Sequence, residues 1–408
     1  MKHKMKSILA FSLSLYLICG HAVAQTTVKV SIPDVKFDPI TFTDFIKQVG
    51  ENNALIRAKK FALDSSVAQQ GPAGLSNVNP SFTYSRGAYY GQVPYTPYVS
   101  PGSNTYSLSG TLEGWGKRTA RKDFAASEVG RNSAELDSLA SAVRADAAFS
   151  FLDTLRFKLL WLSFQKAIAD SQKIGDQGLA NDLKENQSNF GNDIRYFALN
   201  MGTFLARPTN DLLEPVGDLD NVKPKTFNLQ ELISNAHSNR KDIIALTESI
   251  KASSAFLELT KKNRNIDINP SVWYSMTPPY VSSSTQYGAT TAFGFSVSVP
   301  IPVQLVYDAD VVQAGNQKLT QEAYLNDLKA RVAAEVSQAF LQYGFAKKRL
   351  ESEQENFGQL TKNSGKLNSK TIISLRDGEG ELIDAKINHA KALFFLLRVS
   401  GNYDFPNF

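Results

Sequence analysis

Between Ala292 and Pro302, apolar side chains occupy the odd positions (Phe293, Phe295, Val297, Val299), while Gly294, Ser296 and Ser298 fill the even ones. Period two is the mark of a strand with one apolar and one polar face. Pro300 and Pro302 end it, and the next proline is Pro406. The same join comes earlier. Tyr106, Leu108 and Leu112 alternate with Thr105, Ser107, Ser109 and Thr111, and no proline lies between Pro101 and Pro208. Each strand thus feeds a long uninterrupted helical pattern. Residues 117–173 alone, at 1.5 Å each, would span roughly 80 Å, too long for the inside of a compact globule.

Taken in order, the chain reads as a duplication. A helical pattern over 42–70 (Phe45, Ile46, Val49, Leu55, Ile56, Phe61, Leu63) stops at Gly71-Pro72. Phe82 and Tyr84 then alternate with Ser81, Thr83 and Ser85, and a Gly-, Pro-, Ser- and Tyr-rich loop over 87–103 leads into the returning strand. Helices are expected over 117–173 and 179–205, broken at Gly175 and Gly178. The second half repeats the plan: a helix over 229–259, strands with Val272, Tyr274 and Met276 on one side, and a helix over 307–362. A break spanning Gly365 to Gly380 and a last helix over 381–402 complete it. Asn269-Pro270-Ser271 recurs 190 positions after Asn79-Pro80-Ser81, and the stretch from Val332 to Leu341 matches Val143 to Leu152 at an offset of 189. The expected organisation is a lead-in (25–41), a first repeat (42–207; hairpin 79–113, long helices 117–205), a linker (208–227) and a second repeat (228–408; hairpin 269–299, long helices 307–402). The fold class is mainly α with a small β part, each half running helix, β-hairpin, long helix, helix.

Such a hairpin has unpaired edges and cannot sit in lipid alone, so closure into a barrel is required. The smallest membrane barrels have about eight strands. One chain supplies four, so the barrel is shared: two copies give eight strands and three give twelve. The lipid-facing set is Phe82, Tyr84, Tyr106, Leu108, Leu112, Val272, Tyr274, Phe293, Phe295, Val297 and Val299. Tyr89, Tyr90, Tyr106, Trp273, Tyr274, Tyr280 and Tyr287 suit aromatic girdles at the membrane–water interface. A soluble sandwich edge with surface tyrosines is the blander alternative, and helices this long argue against it.

Composition narrows the choice. At 42% hydrophobic residues and a mean hydropathy of −0.24, no bundle of membrane helices is expected. Residues 1–24 read as a signal peptide, with Lys2, Lys4 and Lys6, an apolar run from Ile8 to Cys19, and Ala22-Val23-Ala24 before Gln25. That run is too short to span a bilayer, which needs about 20 residues. Cys19 keeps a lipoprotein alternative open, although Ile18 stands where a small residue is wanted. Removing the three leader lysines takes the net charge from +5 to +2, which points away from nucleic acid. His237 and His389 are the only histidines after the leader, and without Cys19 there is no thiol, so no metal-ligand set or cofactor is expected. Neither a nucleophile elbow nor a phosphate loop is present, and no enzyme is expected. A periplasmic coiled-coil scaffold or adaptor-like protein without a pore is the structural rival.

The duplicated plan resembles the TolC-like outer membrane efflux proteins. So do the strand-to-helix joins at 108–116 and 296–303 and the stretch Gly380-Glu381-Leu382-Ile383-Asp384-Ala385-Lys386, whose first-half counterpart is Gly178-Leu179-Ala180-Asn181-Asp182-Leu183. The resemblance implies a homotrimer with a 12-stranded barrel in the outer membrane of a Gram-negative bacterium, above a periplasmic α-helical tunnel. It implies a passive exit duct that docks on a periplasmic adaptor and an inner-membrane pump of the RND or ABC type. By position it makes Asp182, Glu381 and Asp384 the acidic aperture, and Gly175, Gly178, Arg376, Asp377 and Gly378 the adaptor-contacting tips. The simpler alternative for each carboxylate is complementing a helix dipole. Arg376-Asp377-Gly378-Glu379-Gly380 is richer in glycine and charge than the family's turn, and Glu185 or Asn186 stands where the family often has Ala. The cargo (drug, metal cation, siderophore or polypeptide) is left open.

Overall fold

The computed structural model describes residues 37–403, apart from 76, 77, 79, 88, 89, 94, 95, 100, 101, 209, 210, 283, 284 and 301–303. The expected signal peptide, Cys19, most of the lead-in, Asn79 and Tyr89 lie outside the described residues. The first half runs β1 (Phe37–Thr41), α1 (Phe42–Asn52), α2 (Ala54–Ala73), β2 (Ser81–Gly87), β3 (Tyr90–Val93), β4 (Thr96–Val99), β5 (Ser103–Ser109), α3 (Lys117–Lys173) and α4 (Gln177–Phe204). After β6 (Leu212–Val216) and a 3-10 turn (Leu219–Asn221), the second runs α5 (Leu229–Asn239), α6 (Lys241–Lys262), β7 (Asn269–Thr277), β8 (Tyr280–Ser282), β9 (Thr285–Tyr287), β10 (Thr290–Ser298), α7 (Gln304–Asn363) and α8 (Ser369–Val399). With 57 and 60 residues, α3 and α7 reach about 85–90 Å. Among the described residues no helix is long and apolar enough to cross a membrane, which says nothing about strands.

Three boundaries differ from the sequence pattern. The helix expected over 42–70 is cut at Asn53, whose extended backbone ends α1 while its side-chain oxygen accepts from the Leu55 and Ile56 N–H groups that open α2. Its amide also donates to the Phe204 carbonyl at 3.1 Å, tying the break to the end of α4. Arg240 makes the equivalent cut between α5 and α6. The lead-in and the linker, read as irregular, contain β1 and β6, which pair in parallel from Phe37↔Leu212 to Thr41↔Val216. Pro39 and Pro215 hid them; in a two-stranded sheet both strands are edges, where proline is tolerated.

The largest correction concerns α8. It starts at Ser369, so the expected break from Gly365 to Gly380 shrinks to residues 364–368. Gly378 is a packing glycine, not a turn glycine: a Cβ there would stand 2.8 Å from Leu360 Cδ1 and 3.4 Å from Phe357 Cδ2 on α7. The missing side chain lets two helices approach.

Burial concentrates at mid-height of the long helices. Phe45 and Val49 of α1, Phe151, Leu152 and Leu155 of α3, Val332 and Val336 of α7, and Leu393 and Phe394 of α8 form one buried cluster with Leu213 of β6. Phe42 packs edge-on against Phe151 and Phe394, with ring centres 5.4 Å away in each case. The two segments that matched at an offset of 189 both feed this cluster.

Candidate functional site

Four strands form one antiparallel sheet in the order β10-β7-β5-β2, so the hairpins of the two repeats are zipped together by β5 and β7. Register builds two apolar rows across it: Phe293–Tyr274–Tyr106–Tyr84 and Phe295–Val272–Leu108–Phe82. These side chains stand on the surface, with Phe293 88%, Phe82 69% and Phe295 67% exposed. Tyr106 sits 5.2 Å from Tyr84 and 6.5 Å from Tyr274, ring centre to ring centre. Val297 continues the same face within β10, and Leu112 and Val299, both exposed, lie just past strand ends. The opposite face is built of rows Ser296–Ser271–Ser109–Ser81, Gly294–Trp273–Ser107–Thr83 and Ala292–Ser275–Thr105–Ser85. Hydroxyls there bond to one another: Ser81 with Ser109 at 2.7 Å, and Thr105 to Ser275 at 3.2 Å. Water on the apolar face would be costly, at about 25 cal/mol for each Å² of apolar surface left uncovered. Hydrocarbon would remove that cost. Among the described residues, β2 and β10 pair on one side only.

The aromatic girdle needs correction. Tyr280 and Tyr287 do stack at the β8–β9 end, 4.8 Å apart. Tyr106 and Tyr274 lie mid-strand, and Trp273 belongs to the polar face, because register pairs it with Gly294 rather than with the apolar rows.

Below the sheet, the strand-to-helix join is closely packed and hydrogen-bonded. Gly116 has φ +82° and caps α3, and a Cβ on Gly114 would meet the Asn265 and Ile266 backbone at 2.8 Å. The Gly114 N–H and the Lys117 ammonium both donate to Asp267 Oδ1, at 2.7 and 2.8 Å. Burial pushes the Asp267 carboxyl up, but these two donors outweigh it and hold the group below its ordinary range.

At the far end, α3 turns into α4 through Ile174, Gly175 (φ +81°) and Asp176. Asp176 caps α4 by accepting from the Leu179 N–H, and its second oxygen accepts from Ser369 Oγ at 2.5 Å. Ser369 opens α8, which Asn368 caps. One carboxylate therefore starts one helix and holds the start of another, so the Ser369 hydroxyl and the Leu179 N–H keep the Asp176 group below its ordinary range. Sequence reasoning missed this pair; the readable signal was an Asp or Asn just before each short helix.

Within one chain the expected aperture residues stand at different distances from the starts of their helices. Asp182 is exposed in the second turn of α4, about 8 Å along from Gln177, whereas Glu381 and Asp384 lie about 18 and 22 Å along α8 from Ser369. Glu381 pairs with Arg349 at 2.9 Å. Asp384 takes a two-pronged contact from Arg156, at 2.6 and 2.9 Å. Of the expected tip residues, Gly175 is in the turn and Gly178 in the first turn of α4. Arg376, Asp377 and Gly378 are not at a tip: they sit inside α8, with the Arg376 guanidinium 4.5 Å above the Phe164 ring and paired with Asp377 at 2.8 Å. Glu379 meets Ser163 and Lys166, Lys391 meets Asp153, and Arg398 meets Asp146. Positions 384, 391 and 398 are seven apart, so these pairs form a seam that fixes the register of α8 on α3.

No family model matches the sequence, and no curated protein matches it. Solved structures do. The chain superposes on CusC, a protein described through folding and transmembrane channel formation, with TM-score 0.64 and 12% identity over 90% of this chain and 93% of that one. The Campylobacter jejuni CmeC outer membrane channel gives 0.62 and 11% over 88% and 85%. The open state of the Neisseria gonorrhoeae MtrE outer membrane channel gives 0.59 and 15% over 89% of each chain. The fold is that of TolC-like outer membrane channels.

Proposed function

We propose that this protein is the outer membrane exit duct of a tripartite export system, conducting cargo passively through a barrel and tunnel shared by three copies. The carrying observation is the open four-stranded sheet, with apolar rows outward, hydroxyl rows on the other side and both edges unpaired among the described residues, joined to helices of 57 and 60 residues. Closure needs at least about eight strands, and three copies bring twelve. The outer membrane of a Gram-negative bacterium is where such a sheet meets lipid and such helices meet the periplasm. The turn at 174–176 and the loop at 364–368 are the surfaces for a periplasmic adaptor, with an inner-membrane pump beyond it. Asp182 is the aperture carboxylate nearest that end; Glu381 contributes charge higher in the tunnel, and Asp384 mainly fixes register through Arg156. No chemistry of its own is assigned to the chain, since cargo passes unchanged. Purified protein in planar bilayers tests this. Discrete unitary conductance steps are expected; a water-soluble protein that never inserts would leave the pore-free scaffold as the better account.

A further inference from the structure

The polar face of the sheet carries Ser, Thr, Ala and Gly in its three central rows, and one large side chain, Trp273. None of those positions is charged. If the apolar rows meet lipid, this face lines the conduit. The indole lies over Gly294 of the neighbouring strand: a Cβ there would be 2.6 Å from Trp273 Cε2 and Cζ2 and 2.7 Å from Nε1. Gly294 thus leaves open the space that the ring fills, and the ring rests on the wall instead of projecting across the lumen. Trp273 remains only partly buried. A π face on a neutral hydroxyl wall attracts one class of solute above others. Its negative quadrupole favours weakly hydrated organic cations and stacks with aromatic rings. Small inorganic ions gain little there, since they hold their water, and anions are disfavoured by the ring face.

We infer that Trp273, seated over Gly294, is a transient contact site in the barrel lumen for aromatic organic cations, and that cargo of this class passes through the duct. The inference rests on the channel reading and narrows it from four cargo classes to one.

The test uses the purified full-length channel in planar bilayers, with tetraphenylphosphonium as probe and benzenesulfonate as its anionic counterpart. Wild type should show brief, concentration-dependent current reductions with tetraphenylphosphonium and none with benzenesulfonate. In Trp273→Ala the dwell time should fall about tenfold, on the scale of a partly desolvated cation–π contact. Trp273→Phe should retain most of it, and unitary conductance should barely change. Gly294→Ala, which displaces the indole, should imitate Trp273→Ala. Fluorescence gives a readout independent of insertion. The chain has three tryptophans, and saturable quenching by tetraphenylphosphonium should vanish in Trp273→Phe. Equal dwell times in wild type and Trp273→Ala, or quenching that survives in Trp273→Phe, would overturn the inference while leaving the channel intact. A wild type without any unitary conductance would instead overturn the channel reading.

Discussion

Phe45 and Phe293 are the same residue type in opposite circumstances: the first is 0% exposed and the second 88%. The core of the helical midsection buries Phe42, Phe45, Phe151 and Phe394, whereas the sheet turns Phe82, Phe293 and Phe295 outward. On the proposed channel reading a single chain answers to two solvents, with the Gly114–Lys117 join as the boundary. Below it, burial is supplied by the chain's own helices; above it, on that reading, the role falls to lipid and neighbouring copies.

The contrast can be broken from either side. The largest effect is expected in the midsection, where Phe151→Ala should cost about 3–5 kcal/mol by emptying a packed site; chemical denaturation of the purified protein measures it. In the sheet, Phe293→Ala should cost much less by the same assay, because no packed protein cavity is left. A charge reverses the ranking. Phe295→Arg should destabilise by about 2–4 kcal/mol per chain near the bilayer midplane and lower the yield of inserted protein, but would be almost silent if the sheet faced water.

Two smaller effects depend on charge. Asp384→Asn removes the partner of Arg156 at a half-buried contact, and a loss of about 1 kcal/mol or less is expected after solvent screening. Asp384→Ala with Arg156→Ala, compared with each single variant, separates the pair from its surroundings. His389 is 1% exposed beside Tyr343, with Lys347 and Glu351 of α7 as its charged neighbours. Burial, helped by Lys347 and opposed by Glu351, pushes the imidazole down. A base whose folded pKa is lowered binds more protons unfolded, so midsection stability should fall as pH drops below about 6.5, the unperturbed value. His389→Leu should flatten that slope in denaturation midpoints measured between pH 7 and pH 5. For the Asp176 carboxylate, also lowered, the sign places the loss at lower pH. Hydrogen exchange at 174–177 and 364–369 should rise only when the sample is taken below about pH 4.

Much of the fold was legible because its signals are long or repeated. Period-two alternation from Phe293 to Val299 names the exposed apolar face of β10 directly, and the offset of 190 between the two Asn-Pro-Ser motifs announces the duplication. Other features hid for physical reasons. Glycine serves both turns and close packing, and nothing in the letters separates Gly175, which turns, from Gly378, which lets α8 lie against Leu360. The Asn53 cut was invisible because the apolar pattern runs across it. Trp273 was read by its aromatic character and proximity to Tyr274, although alternation itself assigns it to the other face. The carboxylates' partners were the least legible. Asp384 sits in a motif that suggests an aperture, and its partner Arg156 lies 228 positions away, a contact that only the packing of α8 on α3 reveals.

Number of copies is the point on which lipid, sheet edges and conduit all depend. Native mass measurement of the detergent-extracted protein decides it: a complex of three chains, extracted only with detergent, is the expected result. A stable single chain in detergent-free buffer, with the Phe293 and Phe295 rows exposed to water, would contradict the account.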